Sequence, residues 1–262
     1  MNLNRLIAIL IVLFIGLTAF GLSTDNTLLI SLGHIFILPM VGIWYGFKRR
    51  WQANPIDIAM YAAYFIGSFS DSFVLIGGQI GEALQIVMTI AMHALFIFIF
   101  RREGTRIYSG SQKDLPKLVI PITIIFVFFG VVLIPILPEV VYFLTIFYSI
   151  QLMILISHGL FRRVKGKSYY WVATGVLLMI VKDILYSYNF FVFQNSILLL
   201  YIIQYTLSSI VYFILAIGIA FNQPDENKIE DISFWKAVKN QVKLIFSFDK
   251  LTQFSRTLFS KA

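Results

Sequence analysis

Two aspartates sit where an apolar chain has least use for them. Asp71 lies in Gly67-Ser68-Phe69-Ser70-Asp71-Ser72-Phe73, inside an apolar run from Ile58 to Ile76, and Asp183 follows Lys182 in a second run from Tyr169 to Tyr188. A carboxylate carried into a bilayer costs about 2.5–3.5 kcal/mol on insertion scales, which makes it a functional-site hypothesis by default. Two carboxyls held close together in low dielectric do not ionise alike: one keeps its proton while the other keeps its charge. That pairing is what general acid catalysis beside a charge-stabilising partner requires.

Other polar residues in apolar runs are candidates to join them: His34, Ser68, His93, Gln151, Tyr201, Gln204 and Tyr205. Tyr201, Gln204, Tyr205, Ser208 and Tyr212 fall at i, i+3, i+4, i+7 and i+11, one stripe of a helix. Taken singly, a hydroxyl or tyrosine in such a stripe serves helix packing or interfacial anchoring as readily as binding. The three histidines are His34, His93 and His158. His158 is separated from His34 by roughly 20 Å of depth, so no single zinc ion, with nitrogen ligands at about 2.0–2.1 Å, joins all three. The chain has no cysteine, hence no thiolate ligand or nucleophile, and neither a metal nor another cofactor is expected. Lys182 invites comparison with a lysine that binds an aldehyde chromophore. Neighbouring residues on a helix diverge by about 100°, so it is expected to lean away from the pocket that Asp183 faces and to snorkel toward the helix end.

The elements that must position these residues follow from composition. The chain of 262 residues is 59% hydrophobic and 13% charged, with a mean hydropathy of +0.84. Its apolar residues come in blocks of about 20, the length of a membrane-crossing helix. The expected fold is therefore all-α, a polytopic eight-transmembrane-helix bundle. Its runs are Leu6 to Leu22, Leu28 to Phe47, Asp57 to Ile76, Glu82 to Phe100, Leu118 to Leu137, Glu139 to Phe161, Tyr169 to Tyr188 and Ile197 to Phe221. The first run reads as a retained helix. If it were cleaved after Ala19-Phe20-Gly21 as a signal peptide, seven helices would remain in the same orientation.

The net charge of +8 would indicate nucleic acid in a soluble chain, but its distribution indicates a membrane and no nucleic acid. The turns after the second, fourth and sixth runs hold Lys48, Arg49, Arg50, Arg101, Arg102, Arg106, Lys113, Lys117, Arg162, Arg163, Lys165 and Lys167, whereas the turns after the odd runs hold no Lys or Arg. The positive-inside rule then places both termini in the cytoplasm, with a bacterial inner membrane as the expected location. Residues 1–221 form the expected membrane domain. Residues 222–262 form a cytoplasmic tail in which Phe234, Trp235, Val238, Val242, Ile245 and Phe246 alternate with Lys236, Lys239 and Lys243. That spacing is expected for a basic amphipathic helix on a membrane surface.

Depth sorts the candidates. At 1.5 Å per residue, Asp71 and Asp183 each lie roughly 8 Å from the outer helix ends, His34 roughly 9 Å and Gln204 roughly 10 Å. Four polar side chains from four helices therefore share one level in the outer half of the bilayer. Ser68 lies a turn below Asp71, and His93 and Gln151 are placed nearer the midplane as a floor.

Taken together, Leu38-Pro39-Met40 ahead of a basic loop, Ser70-Asp71, His93, Thr174-Gly175 ahead of Lys182-Asp183, and Tyr201-Ile202-Ile203-Gln204 resemble the pattern of the YhhN family of integral membrane proteins, which includes the lysoplasmalogenases. The resemblance covers about Leu28 to Phe221. Where the family pattern has Gly-Asp and Ser-Asp, this chain has Ser70-Asp71 and Lys182-Asp183. It implies a hydrolase acting on the vinyl ether bond of a lysophospholipid drawn from the lipid bilayer, with Asp71 and Asp183 catalytic. The products would be a fatty aldehyde and a glycerophospho-base. A lipid amidase of the alkaline-ceramidase type would need a late His-x-x-x-His pair that this sequence lacks. The alternative from another class is a non-enzymatic lipid or solute carrier with the buried carboxylates as proton or substrate sites.

Overall fold

The computed structural model describes residues 3–222 apart from 25, 74–77, 106–113, 165 and 194–196. The amphipathic tail expected beyond Asn222 lies outside the described residues, as does most of the turn after the fourth helix. Eight α-helices are present among the described residues: α1 (Leu3–Ser23), α2 (Thr27–Lys48), α3 (Pro55–Phe73), α4 (Gly78–Arg102), α5 (Leu115–Ile125), α6 (Glu139–Leu160), α7 (Lys167–Ser187) and α8 (Leu198–Ala220). Two of them change pitch. α5 passes into a π-helix at Phe126–Leu133 and then a 3₁₀ turn at Ile134–Ile136, and α7 passes into a π-helix at Tyr188–Val192.

Local chemistry marks the helix ends. Asn26 caps α2 by accepting a bond from the Leu29 N–H, and Asn54 accepts one from the Asp57 N–H at the start of α3. Pro55 occupies the first position of α3, where its missing N–H leaves nothing unpaired. Between α2 and α3 the backbone turns through positive φ at Arg50 and Trp51.

Among the described residues, seven helices are long and apolar enough to cross a membrane, the pattern of an integral membrane protein. α3 is the exception, because Asp57, Asp71, Ser68, Ser70 and Ser72 dilute its apolar content within 19 residues. Several of its polar side chains are spent against other helices. The Tyr64 hydroxyl donates to the Tyr212 carbonyl of α8, Ser68 to the Ile35 carbonyl of α2, and Ser70 to the Gln85 carbonyl of α4. In a bilayer, where no water competes inside, such bonds hold helices together.

The helices close a ring in the order α2, α3, α4, α6, α7, α8 and back to α2. α1 packs outside it on α2 and α8, and α5 mainly on α6. These outer helices carry much of the exposed apolar surface, including Ile9, Val12, Leu13 and Phe20 on α1 and Val119, Ile120 and Ile124 on α5. Inside the ring one continuous core joins Val41 and Tyr45, Met60 and Ala63, Met92 and Phe96, Leu152 and Leu155, Val176 and Met179, and Leu215 and Ala216. Glycines leave room for close packing between α7 and α8. A Cβ on Gly175 would lie 2.7 Å from Leu215 Cδ2, and one on Gly218 would lie 2.9 Å from the Val172 backbone nitrogen.

One end of the ring is tied by buried ion pairs. Arg49 Nε lies 2.9 Å from Asp57 Oδ1, which also accepts the Tyr45 hydroxyl at 2.6 Å. Arg162 Nε lies 2.6 Å from Glu103 Oε2, with both side chains essentially excluded from solvent. Asn222 donates to the other Glu103 oxygen, and Arg162 reaches the Ser168 hydroxyl, which donates to the Gly218 carbonyl. The second cluster thus joins the ends of α4, α6 and α8 to the start of α7. Burial raises the proton affinity of the Glu103 carboxyl above the usual range, while Arg162 and Asn222 act in the opposite sense. Two of the basic residues counted as a topology signal, Arg49 and Arg162, are therefore structural pairs and not free loop charges.

Candidate functional site

The ring encloses a cavity of about 110 Å³ reached by side chains from α2, α3, α4, α6, α7, α8 and the π-segment after α5. Both aspartates line it, Asp71 from α3 and Asp183 from α7. The polar stripe of α8 forms one wall: Tyr201, Gln204, Tyr205, Ser208 and Tyr212 all face the cavity, as their helical spacing requires. His34 of α2 faces that wall. Its Nε2 lies 3.1 Å from the Tyr201 hydroxyl, and its ring lies against Tyr205 with centroids 4.0 Å apart and planes tilted by 32°. Apolar surface comes from Leu38, Ile86, Met92, Phe129, Phe190 and Phe191. The last three belong to the two π-helices, whose additional residues per turn re-aim side chains relative to a continuous α-helix; such segments recur at functional sites.

Lys182 departs from expectation. It does not lean away; it is buried and lines the cavity beside Asp183. Its Nζ lies 2.6 Å from Asp183 Oδ1 and 5.4 Å from the centroid of the Tyr212 ring. The Cβ directions of adjacent residues do diverge, but a four-carbon stem is long enough to curl back, and an unpaired ammonium in an apolar interior costs more than the bend. Charge on Lys182 acts on Asp71 as well. The second oxygen of Asp183 is buried without a hydrogen-bond partner among the described residues, and the Tyr148 hydroxyl lies close to the Asp183 carboxylate.

Three candidates from the sequence do not reach the cavity. Ser68 is turned to the Ile35 carbonyl, and Gln151 donates through Nε2 to the Ile90 carbonyl at 2.8 Å, linking α6 to α4. His93 is fully buried against the Tyr148 ring, and neither of its nitrogens has a hydrogen-bond partner among the described residues. The rotation of their helices sends all three side chains into helix contacts instead.

Conversely, the cavity holds polar residues that sequence reasoning passed over. Tyr186 donates to Gln85 Oε1 at 2.7 Å, and Glu82, Thr89 and Tyr148 also line the space. Tyr186 lies three residues beyond Asp183 and therefore on the same helix face, a signal that was available. Among the described residues no group of three or more His, Cys, Asp or Glu side chains could hold a metal ion.

Chemically, the site combines three carboxyls (Asp71, Asp183 and Glu82), one ammonium, an imidazole and several phenols in an enclosure with apolar walls. Such a space can hold a polar reacting centre attached to a hydrocarbon chain while limiting bulk water. Comparison with protein-family models, curated proteins and solved structures gives no match for this chain.

Proposed function

We propose that the protein is a membrane hydrolase of the lysoplasmalogenase kind, cleaving the vinyl ether bond of a lysophospholipid. The observation that carries the reading is the arrival of Asp71 and Asp183, from helices far apart in sequence, at one cavity with apolar walls. A vinyl ether is hydrolysed through protonation of the carbon one removed from the ether-bearing carbon. The new C–H bond leaves an oxocarbenium ion, water adds to it, and the resulting hemiacetal collapses to a fatty aldehyde and the glycerol hydroxyl. One carboxyl supplies the proton and recovers one from the attacking water, while a carboxylate stabilises the cation. The logic parallels paired carboxylates in glycoside hydrolysis. The residues of YhhN-type resemblance support the same assignment.

Incubation of purified protein with a lysoplasmalogen, read by mass spectrometry, is expected to yield the aldehyde and the glycerophospho-base. The corresponding acyl lysophospholipid should stay intact. Recovery of both lipids unchanged by active-site-intact protein sinks the reading.

A buried Lys182–Asp183 pair beside a further carboxylate is also an arrangement used by proton-coupled carriers. Flux of lipid or solute into proteoliposomes without chemical conversion favours that second reading.

The reading includes eight crossings with both termini in the cytoplasm of a bacterial inner membrane, a membrane domain over residues 1–221 and a cytoplasmic tail from 222. Because the chain has no cysteine, each introduced thiol is the only one present. An impermeant maleimide applied to intact cells is expected to label Ser23→Cys and Glu139→Cys, and to label Arg50→Cys and Arg102→Cys only after lysis. The opposite pattern inverts the topology.

A further inference from the structure

The two aspartates of the cavity are not equivalent, and the difference is made by Lys182, one of the residues that depart from the resembled motif. Asp183 has an ammonium nitrogen 2.6 Å from one of its oxygens, the contact length of a charge-assisted hydrogen bond. Lys182 is held there from a second side by the Tyr212 ring, a face that attracts a cation. Asp71 faces the same cavity from the opposite part of the ring, on α3. Among the described residues it has no such contact: Lys182 forms an ion pair with Asp183, and Asp71 senses its charge through space.

We propose that Lys182 is a positioning residue that divides the work of the two acids: its ammonium fixes Asp183 as the anion of the cavity and leaves Asp71 as the proton carrier. The chemistry of this assignment rests on the hydrolase reading, whereas the charge arrangement itself does not. In the reaction, the O–H bond of Asp71 breaks as the C–H bond forms on the alkenyl carbon. The resulting oxocarbenium ion lies in the field of the Asp183 carboxylate. Water then adds to the cation and returns its proton to Asp71, so no proton or electron is left over, and Asp183 stays ionised throughout. An unpaired Asp183 would compete for the proton and weaken the stabilisation of the cation. Lys182 touches neither the substrate carbon nor the water in this scheme; it acts through Asp183.

The test reads protonation without substrate. Infrared spectra of the full-length protein in lipid nanodiscs are expected to contain a protonated-carboxyl C=O band that Asp71→Asn removes and Asp183→Asn leaves in place. Lys182→Met is expected to add a second such band, belonging to Asp183, and to lower vinyl ether hydrolysis at least tenfold, mainly in kcat. Lys182→Arg, which keeps the cation, should restore both the single band and most of the rate. Loss of the band in Asp183→Asn instead of Asp71→Asn overturns the proposal, as does a Lys182→Met spectrum identical to that of the unmodified protein. Should Lys182→Met fail to fold, the two aspartate variants decide the matter alone. If the bands behave as expected but no vinyl ether is cleaved, the charge assignment stands and the hydrolase reading falls.

Discussion

Asp71→Asn is expected to reduce vinyl ether hydrolysis by about 10²–10⁴-fold, the range for loss of a positioned general acid. The substitution keeps the shape of the side chain and removes only the exchangeable carboxyl proton. The cavity walls formed by His34, Leu38 and the α8 stripe should therefore persist. Asp183→Asn should fall into the same range for a different reason, since it removes the negative charge opposite the cation and leaves Lys182 buried without its partner. The double variant should be little worse than either single one, because groups acting on one transition state are strongly non-additive. Rates measured under substrate saturation, with folding checked by size-exclusion chromatography and circular dichroism, provide the comparison. Full activity in both single variants is incompatible with a two-carboxyl mechanism.

The largest expected effect on stability lies away from the cavity. Glu103→Ala leaves the Arg162 guanidinium buried at the junction of α4, α6, α7 and α8, facing an empty site where a carboxylate stood 2.6 Å away. Breaking a buried pair from one side costs about 3–5 kcal/mol. Here the loss extends further, because the same carboxylate accepts the Asn222 amide that ends α8. Replacing both partners, as in Glu103→Met with Arg162→Met, removes the stranded charge and should recover most of the loss. Denaturation midpoints in detergent for the two single variants and the double variant measure the coupling directly. A single Glu103→Ala protein as stable as the unmodified one means that Arg162 is satisfied by Ser168 and the Phe100 ring alone.

Much of the scaffold is legible without the structure. The helix runs read from apolar blocks agree with the eight observed helices to within a few residues at most ends, because a block bounded by Asn, Pro and basic turns has few other ways to satisfy its backbone. The run from Leu118 to Leu137 was read as one uniform helix, yet it divides into α-helical, π and 3₁₀ segments. Hydropathy carries no record of pitch. The α8 stripe was also legible, since a fixed helical spacing determines which residues share a face, whatever surrounds them.

The position of Lys182 was not legible. Helical geometry gives the direction of a Cβ, but four methylenes let the charge travel back to its neighbour, and the energy that draws it there depends on what lies across the cavity. Ser68, Gln151 and His93 were misplaced for a related reason. Each stands at a plausible depth, but rotation of its helix about its own axis, which depth does not constrain, sends it to the Ile35 carbonyl, the Ile90 carbonyl and the Tyr148 ring. Glu82 and Gln85 were missed because only the packing of α4 against its neighbours shows them facing inward, whereas Tyr186 was overlooked despite its helical spacing to Asp183.

By itself the sequence determined the fold class, the helix runs and the presence of two acids that a membrane interior tolerates only with partners. These are properties of composition and period, set along the chain one residue at a time. The tertiary structure alone decided that Asp71 and Asp183 share a cavity, that Lys182 joins Asp183 there, and that Arg49 and Arg162 are buried clamps. Those outcomes depend on the lateral arrangement and rotation of helices, which are fixed by contacts between residues far apart in the chain.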